Sequence, residues 1–267
     1  MKGEAVSMRI HHQHLPRSTS RQYGIFSSRV FRIGFILLGV LLLVDVLSTL
    51  FSNSLQGALT LPAWNTSALP AQSLSIALPN ILAQDTFRRP NQLFWGTASD
   101  GQSWQEDARS SHVFAIVNHT GQILKGNGIY DAILGARSSD AEVVFSGSVS
   151  YFPPSKLGTV LRWTSANNWY EANFDGAHLV LLKKVAGIVT ELNVVPFAAQ
   201  AGRSYTLRFR MVGPMLAARI WLTGQVEPTS WMVMGRDTAL ASGHSGLRVF
   251  VQNGATATVT SFKVSVR

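Results

Sequence analysis

Residues 205–212 read Tyr205-Thr206-Leu207-Arg208-Phe209-Arg210-Met211-Val212, with apolar side chains on alternate positions. A period of two is that of a strand with one face in a core and the other toward water. Tyr205, Leu207, Phe209 and Met211 therefore share the inner face, and Thr206, Arg208 and Arg210 the outer. The alternation returns over 258–266, where Phe262, Val264 and Val266 oppose Ser261, Lys263 and Ser265. It returns again where Val143, Phe145 and Val149 oppose Ser146, Ser148 and Ser150. Glycine-bearing turns separate such runs, at Asp175-Gly176, Ala186-Gly187, Gly213-Pro214 and Gly224. No long amphipathic helix follows residue 85. About 180 residues of short strands and turns suit one all-β sandwich of a dozen or more strands. No repeat of fixed period points to a propeller or solenoid.

N-terminal to this region the pattern changes. Residues 33–51 read IGFILLGVLLLVDVLSTLF. A helix of that length covers about 28 Å, close to the hydrocarbon thickness of a bilayer. Asp45 costs roughly 2.5–3.5 kcal/mol near mid-bilayer, and the Leu, Ile, Val and Phe side chains of the span return roughly 4–8. Insertion wins, and a transmembrane helix is expected. Asp45 either pairs with a partner helix or lies near Ser48 and Thr49, toward the outer side, hydrated or protonated.

Charge sets the orientation. Of the net charge of +9, residues 1–32 supply +5, from Lys2, Arg9, Arg17, Arg21, Arg29 and Arg32 against Glu4. Residues 52–84 carry no charge. The N-terminus is therefore expected in the cytoplasm and the C-terminal bulk outside the membrane. A cleaved signal peptide fits less well, because the basic region and the apolar core are both long and no A-x-A site follows. A twin-arginine signal fails at Ser28-Arg29-Val30-Phe31. Since the cations border the apolar span, topology explains them and nucleic acid is not an expected partner.

Cysteine is absent, which excludes disulfides, zinc-thiolate sites and a cysteine nucleophile. It argues against a small animal-type ectodomain and for a bacterial one. His11, His12 and His14 lie on the tail without supporting residues, so no metal is expected there. Residues 52–84, with Pro62, Pro70 and Pro79, read as a linker. The organisation expected is thus a basic cytoplasmic tail (1–32), a transmembrane helix (33–51), a linker (52–84) and a β-sandwich domain (85–267). The Asn65 and Asn118 sequons matter only in a eukaryotic secretory pathway.

Several segments of the sandwich region resemble a known group. Asp85-Thr86-Phe87-Arg88-Arg89, followed by Trp95-Gly96-Thr97-Ala98-Ser99-Asp100-Gly101-Gln102-Ser103-Trp104, is similar to the opening of concanavalin A-like, laminin-G-like jelly rolls of bacterial surface and phage tail proteins. Leu161–Tyr170, Leu182–Gly187, Arg219-Ile220-Trp221 with Glu227–Trp231, and Ser242–Arg248 resemble later stretches, the last a glycine turn before the penultimate strand. The resemblance covers about 85–267. It implies a two-sheet jelly roll, often carbohydrate-associated, and does not specify an activity. Where the family often ends in an acidic turn this chain has Thr260-Ser261-Phe262, so no structural calcium and no cofactor are expected.

A glycosidase of such a fold needs two nearby carboxylates. The nearest candidate, Glu171-Ala172-Asn173-Phe174-Asp175, has Asn173 where a second acid is wanted, and Asp175 suits a hairpin turn. Gly243-His244-Ser245-Gly246 lacks the final glycine of a nucleophile elbow and reads as a turn. No paired-histidine spacing or phosphate loop occurs, and no catalytic residue is assigned. A binding face is the stronger expectation. Trp169, Arg208, Arg210, Arg219 and Trp221 are the candidate residues for a glycan or anionic polymer. The opposing reading makes the tryptophans core and the arginines a solvated face. A membrane-anchored extracytoplasmic binding module for carbohydrate or another surface polymer is therefore expected. Its alternatives are a polysaccharide hydrolase or lyase, and an ectodomain for a protein partner.

Overall fold

The computed structural model describes residues 80–267. The expected transmembrane span, the tail, Asp45 and the histidine cluster lie outside the described residues. Among the described residues no helix is long and apolar enough to cross a membrane.

Two antiparallel sheets face each other. The nine-stranded sheet runs β14 (Val233–Arg236), β13 (Met215–Leu222), β12 (Tyr205–Val212), β7 (Ala141–Val149), β16 (Thr256–Val266), β5 (Thr120–Leu124), β4 (Phe114–Val117) and β2 (Gln92–Leu93). Strand β1 (Ile81–Asp85) also pairs with β16. The seven-stranded sheet runs β11 (Ile188–Pro196), β10 (His178–Val185), β9 (Asn168–Phe174), β8 (Lys156–Ser165), β15 (Gly243–Val251), β6 (Gly128–Ser138) and β3 (Gln105–Glu106). The first described strand, β1, begins at Ile81, and Ala83 within it is already buried.

Alternation builds the core between the sheets. Tyr205, Leu207, Phe209 and Met211 of β12 pack there with Val143, Phe145 and Val149 of β7 and Phe262 and Val264 of β16. Val266, at the end of β16, is the exception and is 37% exposed. Ala186 and Gly187 close the β10–β11 hairpin at φ 49° and 85°, the left-handed pair that a two-residue turn with matching twist requires. Asp175 accepts from the backbone N–H groups of Ala177 and His178 at 2.9 and 2.8 Å, a hairpin turn as expected.

The Asp85–Trp104 segment is a structural hub. The buried Asp85 carboxylate accepts from Phe87 N (2.8 Å), Ser99 N (3.2 Å), both terminal nitrogens of Arg89 (2.8 and 3.0 Å) and Trp104 Nε1 (2.7 Å). Trp95 meets Phe87, Trp104 and Phe114 with ring centroids 5.0, 4.9 and 4.9 Å apart, edge to face.

Residues 243–246 correct an expectation: they are not a turn but the beginning of β15. Glycine there serves close approach of backbones. A Cβ on Gly246 would lie 2.3 Å from the Ala132 carbonyl oxygen in β6. Gly246→Ala is expected to destabilise the domain by about 1–3 kcal/mol, read by urea unfolding, since β15 must move off β6.

Candidate functional site

In β9 the side chains of Tyr170, Ala172 and Phe174 enter the core, so Trp169, Glu171 and Asn173 lie on the outer face of the seven-stranded sheet. Register sets their neighbours. Arg248 of β15 stands between Asp131 of β6 and Gly158 of β8, and Gly158 faces Asn173. Val160 and Leu182 flank Glu171 on the adjoining strands. A Cβ on Gly158 would lie 2.6 Å from Asn173 Cβ, so the floor beside Arg248 is bare backbone.

Arg248 organises this surface. Its Nη1 donates to both Asp131 oxygens at 2.6 and 2.7 Å, and its Nε lies 3.5 Å from Glu171 Oε2. Its guanidinium carbon sits 4.7 Å from the centre of the Trp169 ring, a cation–π contact. Asn173 Nδ2 donates to Glu171 Oε1 at 2.8 Å, while Asn173 Oδ1 is buried without a partner. Arg248, Trp169, Glu171 and Asn173, with Lys156 and Phe250, line a half-open cavity of about 360 Å³.

Two acids in a shared low-dielectric setting titrate abnormally. Burial pushes the Glu171 carboxyl up to about 7, against the pull of Arg248 and the Asn173 hydrogen bond, with Asp131 adding repulsion. Burial also raises Asp131, opposed by Arg248 and assisted by the charge of Asp107. Near neutrality Glu171 is therefore a mixture of acid and carboxylate.

Of the five expected binding residues, only Trp169 borders this cavity. It is 2% exposed, and its ring carries the guanidinium. Arg208, Arg210, Arg219 and Trp221 occupy the outer face of the other sheet, on β12 and β13, where Arg208 stands opposite Arg219 and Thr206 opposite Trp221. The core separates the two groups, so the five do not make one surface. The alternation had grouped them by strand face, and it says nothing about which sheet a strand joins.

The three arginines form a second polar cluster. Arg208 forks onto Glu227 (Nε–Oε1 2.5 Å, Nη2–Oε2 2.9 Å) and also pairs with Glu142. Arg210 Nε reaches Glu142 Oε2 at 2.9 Å, and Arg267 pairs with the same carboxylate. Burial would raise Glu142, but hydrogen bonds from Arg267 and Arg210 and the charge of Arg208 outweigh it and hold the group below its ordinary value. Trp231 carries the guanidiniums of Arg210 and Arg219 at 4.7 and 4.5 Å.

Asp131, Arg248, Glu142 and Trp231 were not among the expected residues. A signal existed for two of them: Asp131 and Arg248 are single charges inside the apolar runs 129–134 and 247–251, where an ion pair is the usual way to tolerate burial.

No protein-family model and no curated protein matches the chain. Solved structures do. The xylan β-1,4-xylosidase from Bacillus halodurans C-125 is 12% identical, with 78% of this chain and 41% of that one aligned at a TM-score of 0.52. A mutant of the GH43 protein BlXynB from Bacillus licheniformis is 15% identical over 69% of this chain and 39% of that one, at 0.50. The carbohydrate binding module CBM66 from Bacillus subtilis is 17% identical over 59% of this chain and 91% of that one, at 0.46. The chain thus spans about two fifths of the length of the first two proteins. The fold is the two-sheet jelly-roll sandwich that the resemblance to concanavalin A-like domains implied.

Proposed function

We propose that the domain binds a saccharide in the groove of the seven-stranded sheet, without cleaving it, and is held outside the cell by an N-terminal membrane anchor. The observation that carries the binding reading is the cavity shared by Trp169, Glu171, Asn173 and Arg248. Its volume falls in the roughly 300–1,000 Å³ of small-molecule sites. Phe250, Leu182 and Ile129 offer apolar surface to the C–H faces of a sugar, and Asn173, Lys156 and Arg248 offer groups for hydroxyls. Trp169 supports the buried guanidinium from below; the open surface comes from Ile129, Val189, Leu182, Phe250 and Lys156.

Binding is favoured over hydrolysis by the way the acids are held. A glycosidase sets two carboxyl groups on either side of the scissile bond. Here one guanidinium lies between Asp131 and Glu171 and contacts both. Glu171, pushed up to about 7, is the one feature favouring the second reading, a polysaccharide hydrolase with Glu171 as general acid. Hydrolysis of xylo-oligosaccharides that disappears in Glu171→Gln would establish that second reading.

For the groove, Asn173→Ala and Lys156→Ala are each expected to weaken binding on a glycan array about tenfold, the equivalent of about 1.4 kcal/mol. Trp221→Ala, on the opposite sheet, should leave it unchanged. Parent-like affinity in a folded Asn173→Ala protein would remove the groove from consideration. The anchor rests on the apolar stretch 33–51 and its cationic flank. Protease added to intact cells should digest the sandwich and spare the tail.

A further inference from the structure

The outer face of the nine-stranded sheet carries a charge excess that the groove does not explain. Strand register aligns Arg219, Arg208, Val144, Lys263 and Gln84 in one row across β13, β12, β7, β16 and β1. With neighbouring strands about 4.8 Å apart, the cations of this row span roughly 14 Å. The next row holds Arg210, Glu142 and Ser265. Arg236 on β14 and Arg267 just past β16 extend the field. Six cationic side chains, Arg208, Arg210, Arg219, Arg236, Lys263 and Arg267, thus face two carboxylates, Glu142 and Glu227.

Both carboxylates are saturated. Glu142 receives Arg208, Arg210 and Arg267, and Glu227 receives Arg208 and Arg219. Among the described residues the terminal nitrogens of Arg210 and the Lys263 ammonium donate to no protein acceptor. Arg210 is held against Trp231, and a stacked guanidinium keeps its N–H edge for in-plane acceptors. Beside Lys263 a cavity of about 330 Å³ is lined by Ser261, Ser265, Thr86 and Gln84, with Arg208 and Arg267 at its wall beside the carboxylates of Glu142, which they neutralise, and of Asp85, which is held by Arg89. Fixed cations alternate there with hydroxyl and carboxamide groups.

The geometry points to this face as a second binding site, for an acidic polysaccharide lying across the strands. Lys263, Arg210 and Arg267 receive its carboxylate or sulfate groups, and Ser261, Ser265 and Gln84 meet its hydroxyls. A polynucleotide fits less well: Trp231 is already engaged by two guanidiniums, whereas single strands are gripped by aromatic rings that bases can stack on. The site is independent of the groove, since the core lies between them.

The test uses the full-length protein in neutral detergent over immobilised polygalacturonate, dextran and oligo(dT). Polygalacturonate should retain the protein, less so as salt rises from about 50 to 300 mM because exposed charges are screened; dextran and oligo(dT) should retain it markedly less. Lys263→Gln with Arg210→Gln should weaken retention at least about tenfold, and Lys263→Arg should behave as the parent. The basic N-terminal tail is common to all variants, so its contribution cancels. Asn173→Ala should retain polygalacturonate binding, which separates failure of this site from failure of the groove. Undiminished retention of the double variant, with parent-like tryptophan fluorescence, overturns the proposal. So does equal retention by dextran or by oligo(dT).

Discussion

Replacing Arg248 with alanine is expected to cost about 3–5 kcal/mol of stability at pH 7, the usual result of removing one partner from a buried ion pair. Asp131 loses the donor that contacts both its oxygens, and Glu171 loses the guanidinium beside it. Trp169 loses the group stacked on its ring. Arg248 normally pulls both acids down, so without it both titrate higher and are more easily neutralised. The deficit should therefore shrink as pH is lowered from 7 toward 5. Arg248→Lys keeps the charge but not the planar fork and should fall between. Urea unfolding followed by tryptophan fluorescence gives the comparison. An alanine variant within about 0.5 kcal/mol of the parent at pH 7, the range of ordinary surface substitutions, would mean that the triad does not hold the groove together.

The second large effect concerns Glu171 and pH. Its folded value of about 7 lies above the ordinary 4.5. Between those limits the folded protein keeps a proton that the unfolded chain has released. The stability Glu171 contributes is thus complete below about pH 4.5 and is lost as pH rises through about 7. Over that window the loss amounts to about 3 kcal/mol at 1.36 kcal/mol per unit. Glutamine cannot ionise. Glu171→Gln should therefore gain on the parent by about 3 kcal/mol between pH 4.5 and 8. A stability difference that stays flat across that range would place the titration elsewhere.

Much of the fold could be read from residue order. The alternation in 205–212, 258–266 and around 143–149 assigned inner and outer faces correctly except at Val266, because a half-buried strand writes its two environments directly into sequence. Glycines were harder. Gly187 marks a turn, whereas Gly243 and Gly246 lie in a strand, and sequence does not separate a positive φ from a close backbone approach. The groove was legible only in fragments. Glu171 and Asn173 drew notice as a broken acid pair, and Trp169 as an aromatic at a strand start. Their partner Arg248 contacts Asp131 across 117 residues. That contact depends on β15 lying between β6 and β8, and no local pattern encodes which strands become neighbours. The same ignorance merged Trp169 with four residues of the opposite sheet.

The position of β1 has a mechanical consequence. Tension on the polypeptide ahead of Asn80 reaches Ile81 first, and β1 is attached to β16 through only a short ladder that ends at Asp85. Loaded from one end, such a ladder peels in sequence, each bond bearing the force alone. At Asp85 the load meets a firmer attachment, because Ser99 N and Trp104 Nε1, 14 and 19 residues further along the chain, both donate to its buried carboxylate.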